Sequence, residues 1–145
     1  MNKQPSTLDQ YPFVHSIQTR WMDNDVYGHV NNVIYYSFFD TAVAVYLTSK
    51  AGLDYINGTS VGLVIETSCT YFEAIAFPDT VQVGVRVAKL GNSSVRYELA
   101  IFKNNQTTAS AQGYFVHVYV DKQTQRPVPI PKQARTALSQ IFKTE

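Results

Sequence analysis

The feature that most constrains the fold is a segment at residues 33–49 that contains neither glycine nor proline. It reads VIYYSFFDTAVAVYLTS and is apolar on nearly every face. Its length favours a helix, although its β-branched and aromatic residues leave a strand possible. Asn31 or Asn32 suits the N-cap of such a helix, and Gly52 suits its C-terminal end. A helix that is apolar nearly all round is normally buried, so other elements must cover it.

The rest of the chain shows the two-residue alternation of strands. Turn residues at 91–94 (GNSS) and 103–107 (KNNQT) separate the last three alternating segments and predict antiparallel connections. The proline-rich RPVPIP, residues 126–131, predicts an extended tail. The predicted strands cover residues 13–20, 61–77, 81–87, 95–101 and 108–120, and a short helix is predicted over 132–142. The expected order is one strand, one buried helix and four strands in an antiparallel meander.

The simplest cover for the predicted helix is a sheet that curls around it. This predicts an α+β hotdog fold, in which a five-stranded antiparallel sheet wraps around one long central helix. Residues 1–145 form a single domain with a core at about 12–131, because the chain is too short for two ordinary domains. Such a sheet leaves one edge and part of the helix uncovered, so we expect the chain to pair with a second copy.

Composition and charge exclude several classes of function. Hydrophobic residues make up 45% and the formal net charge is +1, which indicates a globular protein without the basic field needed to hold nucleic acid or a membrane surface. The N-terminal MNKQPSTLDQYPF resembles no targeting segment, so a soluble cytoplasmic protein is expected. The separated His15, His29 and His117 lack zinc-ligand spacing, and no metal or other cofactor is predicted. Cys69, the single cysteine, predicts no internal disulfide.

Residues 23–40, DNDVYGHVNNVIYYSFFD, resemble the acyl-CoA thioesterases of the 4-hydroxybenzoyl-CoA thioesterase type. The D-x-D-x-x-G-H-V-N-N pattern is the specific part, and the resemblance extends over about residues 12–131. It implies hydrolysis of an acyl-CoA or acyl-carrier thioester to free acid and thiol. It also implies a homodimer or a homotetramer with active sites at the subunit boundary.

The resemblance makes Asp25 the catalytic carboxylate, as nucleophile or as general base. A backbone N–H near Asn32 would polarise the thioester carbonyl, since N–H groups at a helix N-terminus lack intrahelical partners. Asp23 is expected to be loop scaffolding. His29 is either a polar contact to Asp25 or substrate, or a loop residue bonded to backbone. The remaining expected substrate contacts are Tyr27, Gly28, Asn31, Tyr35, Lys89, Ser93 and Ser94, although aromatic residues at helical spacing, such as Tyr35, are more often part of the core.

Two other functions fit the same fold. A hotdog hydratase or dehydratase would use an acid–base pair across the acyl chain, but such enzymes typically carry a longer D-x-x-x-x-H spacing than that of Asp25 and His29. A non-catalytic acyl-CoA sensor would bind without turnover. Relatives often carry basic residues in the turn that here is Gly91–Ser93, so both coenzyme A and a carrier protein remain open as the acyl carrier.

Overall fold

The computed structural model describes residues 4–143 and contains the predicted elements in the predicted order. Two short 3₁₀ turns, Leu8–Gln10 and Trp21–Asp23, flank the first strand. The regular elements are β1 (Phe13–Gln18), α1 (Ile34–Lys50), β2 (Ser60–Tyr71), β3 (Thr80–Leu90), β4 (Ser94–Lys103), β5 (Ala111–Asp121) and α2 (Lys132–Ser139).

The five strands form one antiparallel sheet in the order β1-β3-β4-β5-β2. Its inner face buries alternate residues, such as Val83 and Val85 of β3 and Leu99 of β4, against α1. One long helix covered by a five-stranded antiparallel sheet is the hotdog fold, and the predicted α+β class is confirmed.

The predicted four-strand meander is wrong in one respect, the position of β2. Only β3, β4 and β5 are sequential neighbours, while β2 pairs with β5 at the far edge of the sheet. The reason is that β1 already occupies the free edge of β3, from the pair Phe13–Val85 to the pair Gln18–Thr80. With that edge occupied, β2 pairs with β5 at the opposite end of the sheet.

The strand β2 is also shorter than the predicted 61–77. Its last pair joins Tyr71 to Ala111, which is the first residue of β5. Beyond that point the N–H groups of Phe72 and Glu73 both donate to the carbonyl of Ser110, at 2.8 and 3.1 Å. The strand ends because its partner strand ends.

The helix α1 is less uniformly buried than its composition suggests. Its buried positions follow the three- and four-residue spacing of one helix face. The opposite face exposes Ser37, Asp40, Thr41 and Thr48 in the isolated subunit. One face of the helix therefore packs against the sheet, while the other is partly exposed. The buried residues are Tyr35, Phe38, Phe39, Ala42, Val43, Tyr46 and Leu47.

Candidate active site

Residues 24–30 form a tight hairpin directly before α1. The N–H of Asp25 donates to the carbonyl of His29 at 2.9 Å, and the N–H of Gly28 donates to the carbonyl of Asp25 at 3.0 Å. Asn24 and Val30 pair antiparallel at its base. Gly28 has φ +81°, a left-handed conformation that suits glycine. Such a turn closed by a left-handed glycine fixes the course of the loop.

The carboxylate of Asp25 is half-buried at the first position of this turn. Its Oδ1 accepts the N–H of Tyr27 at 2.9 Å, the local bond expected of an aspartate at a turn. A carboxylate has four acceptor positions, so one such bond leaves most of its capacity unused. The ring of His29 is exposed, and no hydrogen bond joins it to Asp25 within the described part of the chain. The prediction that His29 takes part in the chemistry stays a prediction.

Asp23 is buried and holds the loop in place. Its Oδ2 accepts the backbone N–H of Arg20 and its Oδ1 accepts the guanidinium of the same residue, each at 2.8 Å. This hydrogen bonding raises the pKa of Arg20. The carbonyl of Asp23 accepts the N–H of Asn31 at 2.9 Å, which fastens the loop to the start of the helix. These contacts agree with the scaffolding role expected from the sequence.

The predicted N-cap at Asn31 or Asn32 is wrong, because Val33 is the N-cap of α1 and no side chain caps it; Asn31 instead closes the turn before the helix. Its Oδ1 accepts the N–H of Val33 at 3.1 Å, and its carbonyl accepts the N–H of Ile34 at 2.9 Å, which forms a turn before the regular helix. The N–H of Asn32 meets no acceptor within residues 4–143. The carbonyl of Asn32 accepts the hydroxyl of Tyr71 at 3.0 Å. The N–H of Asn32 shares its peptide group with the carbonyl of Asn31, so the bond from Ile34 to that carbonyl holds the N–H open at the positive end of α1.

The two tyrosines predicted to contact substrate differ in burial. Tyr27, at the tip of the hairpin, is 82% exposed. Tyr35 is buried in the core, where its ring packs edge-on against Tyr71 with centroids 4.9 Å apart. Burial raises the pKa of Tyr35 to about 12. The structure therefore places Tyr35 mainly in the core, while Tyr27 is accessible.

Lys89, Ser93 and Ser94 are not near Asp25 in the same subunit. The hairpin lies beside the start of β3, because the side chain of Asn24 accepts the N–H of Phe77. The three residues lie at the other end of β3, and its eleven residues span roughly 35 Å. One subunit therefore separates the two halves of the predicted site. Whether these residues bind substrate stays a prediction.

Two findings concern the wider classes of function considered from the sequence. No helix within the described residues is long and apolar enough to cross a membrane. Among residues 4–143 no three histidine, cysteine, aspartate or glutamate side chains are grouped so that they could hold a metal ion. The predicted absence of a cofactor stays a prediction.

Sequence reasoning missed two residues that the structure places near the helix. The hydroxyl of Tyr71 donates to the carbonyl of Asn32, as described above, and His117 of β5 is only 5% exposed. The sequence does contain a signal for the orientation of His117. Residues 115, 117 and 119 are two apart in a predicted strand, so His117 shares one face with Phe115 and Tyr119. A long-range bond such as that of Tyr71 leaves no comparable signal in the sequence.

Comparison with known proteins agrees with this fold. Residues 19–138 match the thioesterase-like superfamily, and the chain belongs to that family. Among solved structures, the PA5185 protein of Pseudomonas aeruginosa is 51% identical, with a TM-score of 0.95 over 97% of this chain and 99% of that one. The PA2801 protein of the same species is 29% identical, with a TM-score of 0.82 over 89% and 99% of the two chains. A 1,4-dihydroxy-2-naphthoyl-CoA thioesterase from Synechocystis shares the fold at 18% identity, with a TM-score of 0.79 over 88% and 95%.

Proposed function

We propose that this protein hydrolyses an acyl-CoA or a related acyl-carrier thioester, using the Asp25 carboxylate and the backbone N–H of Asn32. The observation that carries the proposal is that the N–H of Asn32 is open at the start of α1. The hairpin that bears Asp25 directly precedes this start in the chain. Membership of the thioesterase-like superfamily supports thioester hydrolysis as the general reaction.

The N–H of Asn32 supplies the electrophilic half of the reaction. The thioester carbonyl accepts this N–H, and the developing oxyanion then lies at the positive end of the α1 dipole. The bond from the N–H of Ile34 to the carbonyl of Asn31 supports this role, because that carbonyl and the N–H of Asn32 belong to the same peptide group. A donor that is already oriented stabilises the oxyanion without reorganising during the reaction.

The carboxylate of Asp25 supplies the other half. As a base, it takes a proton from water, the resulting hydroxide attacks the carbonyl carbon, and the thiolate leaves and is protonated. As a nucleophile, it attacks the carbonyl carbon itself, and the C–S bond breaks so that the thiolate leaves and is protonated. Water then hydrolyses the resulting mixed anhydride to free acid and restores the carboxylate. Both routes yield free acid and thiol, and both require the negative charge of Asp25.

A second copy of the chain completes the site in this proposal. The outer edge of β2 pairs with no strand among residues 4–143, and the exposed apolar side chains of β2 include Leu63, Val64 and Ile65. A row of unpaired backbone groups beside apolar side chains is a template for strand pairing. We infer that two copies join their β2 strands antiparallel, as a dimer or as half of a tetramer.

This pairing would bring the separated halves of the site together. The registers place Leu63, near the start of β2, and Ser94 of β4 both opposite Val118 of β5. The other end of β2 carries Tyr71, which contacts Asn32. Antiparallel pairing sets the start of one β2 beside the end of its partner. The turn that carries Ser93 and Ser94 in one copy would then lie toward the Asn32 peptide of the other.

The edge pairing predicts that a charge on β2 separates the subunits. By light scattering, wild type is expected to be at least a dimer. The variant Ile65→Lys is expected to be a monomer with greatly reduced hydrolysis, because dimerisation would bury an unpaired ammonium group. The control is Ile56→Lys, on the 52–59 loop, because Ile56 is 88% exposed compared with 63% for Ile65. A wild-type monomer that hydrolyses thioesters would contradict the pairing.

The proposed function is tested with aromatic and aliphatic acyl-CoAs of varied length, assayed by release of free thiol. Release from at least one of them, unchanged after exhaustive treatment with a chelator, is the expected result. Tight binding without release would indicate a sensor. Addition of water to an enoyl-CoA without thiol release would indicate a hydratase. Either of these last two outcomes would overturn the proposal.

A further inference from the structure

A groove runs along one side of α1, between this helix and β2. At one end, the hydroxyl of Tyr71, the last residue of β2, donates to the carbonyl of Asn32 at 3.0 Å. At the other end, Val61 and Gly62, near the start of β2, share the wall of a cavity with residues of α1. The helix and the strand therefore lie side by side and antiparallel. The groove between them leads from the open N–H of Asn32 to that cavity.

The two sides of this groove are open in the isolated subunit. Asp40 of α1 borders the cavity, and Ser37 lies one turn before it on the same helix face; both are exposed. Thr67 of β2 shares the inner face of the sheet with its partner Phe115, which is buried in the core. Thr67 is nevertheless exposed. Inward-facing residues that remain exposed leave space for a ligand between α1 and β2.

The cavity at the end of the groove, here named the α1–β2 cavity, is mainly apolar. Its volume is about 140 Å³. Both ring nitrogens of His117 have less than 1 Å² of accessible surface, so this ring meets the cavity through its carbon atoms. A cavity of about 150 Å³ can hold benzene, so the α1–β2 cavity can hold the end of a hydrocarbon chain. The apolar residues of its wall include Val43, Ala44, Leu47, Leu53 and Val61.

The carboxylate of Asp40 restricts the end group of such a chain. Asp40 is exposed, so its charge stays in water at the mouth of the cavity. A chain that ended in a second carboxylate would be repelled by it. A methyl end suits the apolar wall, because removal of apolar surface from water is favourable.

We propose that the substrate is a linear aliphatic acyl thioester whose chain lies in this groove with its methyl end in the α1–β2 cavity, and that Ala44 and Leu53 set the preferred chain length. The inference rests on the proposed function. Asp40 follows Asn32 by eight residues, so the helix rise places the near side of the cavity about 12 Å from the expected carbonyl site. An acetyl or butyryl group is too short to reach it, whereas an extended dodecanoyl chain enters it.

Leu53 separates the α1–β2 cavity from a second one. Its side chain lines both the α1–β2 cavity and a neighbouring space of about 220 Å³ under the 52–59 loop. The N–H of Leu53 donates to the carbonyl of Leu47 at 3.1 Å, which fixes its backbone at the end of α1. Removal of the Leu53 side chain would therefore join the two spaces, whereas a larger residue in place of Ala44 would fill the first. The two substitutions have opposite expected effects on chain length.

The first experiment measures binding without hydrolysis. The probes are S-alkyl-CoA thioethers, which lack the carbonyl, in a series from S-butyl to S-hexadecyl, and the dissociation constants are measured by calorimetry. Affinity should rise by about 4-fold for each methylene that enters the cavity, the scale of burying one methylene. It should level off once the cavity is full. Equal affinity at all lengths, or no binding of any probe, would overturn the inference, because the partner subunit or water would then fill the cavity.

Two variants and one control test which residues set the length. Ala44→Leu should move the plateau to shorter chains and weaken binding of the S-dodecyl probe by about 10-fold or more. Leu53→Ala should move the plateau to longer chains. The control is Ser49→Leu, at an exposed position of the same helix outside the cavity wall, and it should match wild type. Thermal unfolding confirms that each variant is folded. A wild-type length profile in either folded cavity variant would overturn the role of that residue.

The second experiment compares kcat/KM for hexanoyl-CoA, dodecanoyl-CoA and benzoyl-CoA. Wild type should prefer dodecanoyl-CoA to both of the others, and Ala44→Leu should lower the ratio of kcat/KM for dodecanoyl-CoA to that for hexanoyl-CoA. A preference for benzoyl-CoA, or a ratio unchanged by Ala44→Leu, would overturn the inference. If no acyl-CoA is hydrolysed, the proposed function fails, and the thioether series still decides whether the groove selects an aliphatic chain by its length.

Discussion

The variant Asp25→Asn is expected to turn over acyl-CoA about 100-fold or more slowly than wild type, the usual scale for loss of a base or a nucleophile. The substitution removes the charge but keeps an Oδ1 that can accept the N–H of Tyr27, so the hairpin should fold as before. The subunit assembly, the thermal midpoint and the binding of acyl-CoA should remain close to those of wild type. The measurements are turnover, light scattering and thermal unfolding of the same preparation.

The matched control for this variant is Asp121→Asn. The carboxylate of Asp121 also closes a turn, accepting the N–H groups of Gln123 and Thr124 at 2.8 and 2.9 Å, but at the end of β5. Asp23 is a poor control, because its buried carboxylate holds Arg20 and its loss would disturb the loop itself. Near-normal turnover of a folded Asp25→Asn protein would refute the catalytic role of Asp25.

Acidification is expected to lower the free energy of unfolding by about 3 kcal/mol through His117, with the loss concentrated between about pH 6.5 and 4. Burial lowers the pKa of His117 in the folded state to about 4, compared with 6.5 for an ordinary histidine. Below pH 6.5 the unfolded chain takes up a proton at this residue that the folded chain does not bind. The contribution is thus fully present above pH 6.5 and is lost as the pH falls through this window.

The variant His117→Phe isolates this contribution. Carboxylates also titrate in part of the same range, but they are common to both proteins and cancel in the difference between their unfolding free energies. Urea unfolding at a series of pH values should show a steeper decline for wild type than for the variant. Parallel declines would mean that His117 is protonated in the folded protein, or that it is solvated there.

Periodicity in the sequence was sufficient to place the secondary structure. The absence of glycine and proline over residues 33–49 predicted α1, which the structure places at Ile34–Lys50. Alternating valines predicted β3, and turn residues separated β3 from β4. These features are local, because the pattern of apolar residues depends on the geometry of a single element.

The candidate site was predictable only in part. The spacing of Asp25, Gly28 and the asparagines marked the loop before the helix, because turn and cap chemistry involves neighbours in the chain. Nothing in that spacing decided that Asn31 closes the turn before the helix while the N–H of Asn32 stays open. The different roles of the two asparagines depend on the hydrogen bonds that the rest of the loop makes when it folds.

The sequence by itself determined the helix, the strands, the hotdog class and the loop that carries Asp25, because each follows from short-range patterns. Tertiary structure alone decided that β2 lies beside β5, that Lys89 is far from Asp25 in one subunit, and that His117 borders a cavity. These features depend on which edges remain free once other strands have paired, and on which side chains meet across the core. A pattern along one strand carries no information about its partner, so only the folded chain could settle them.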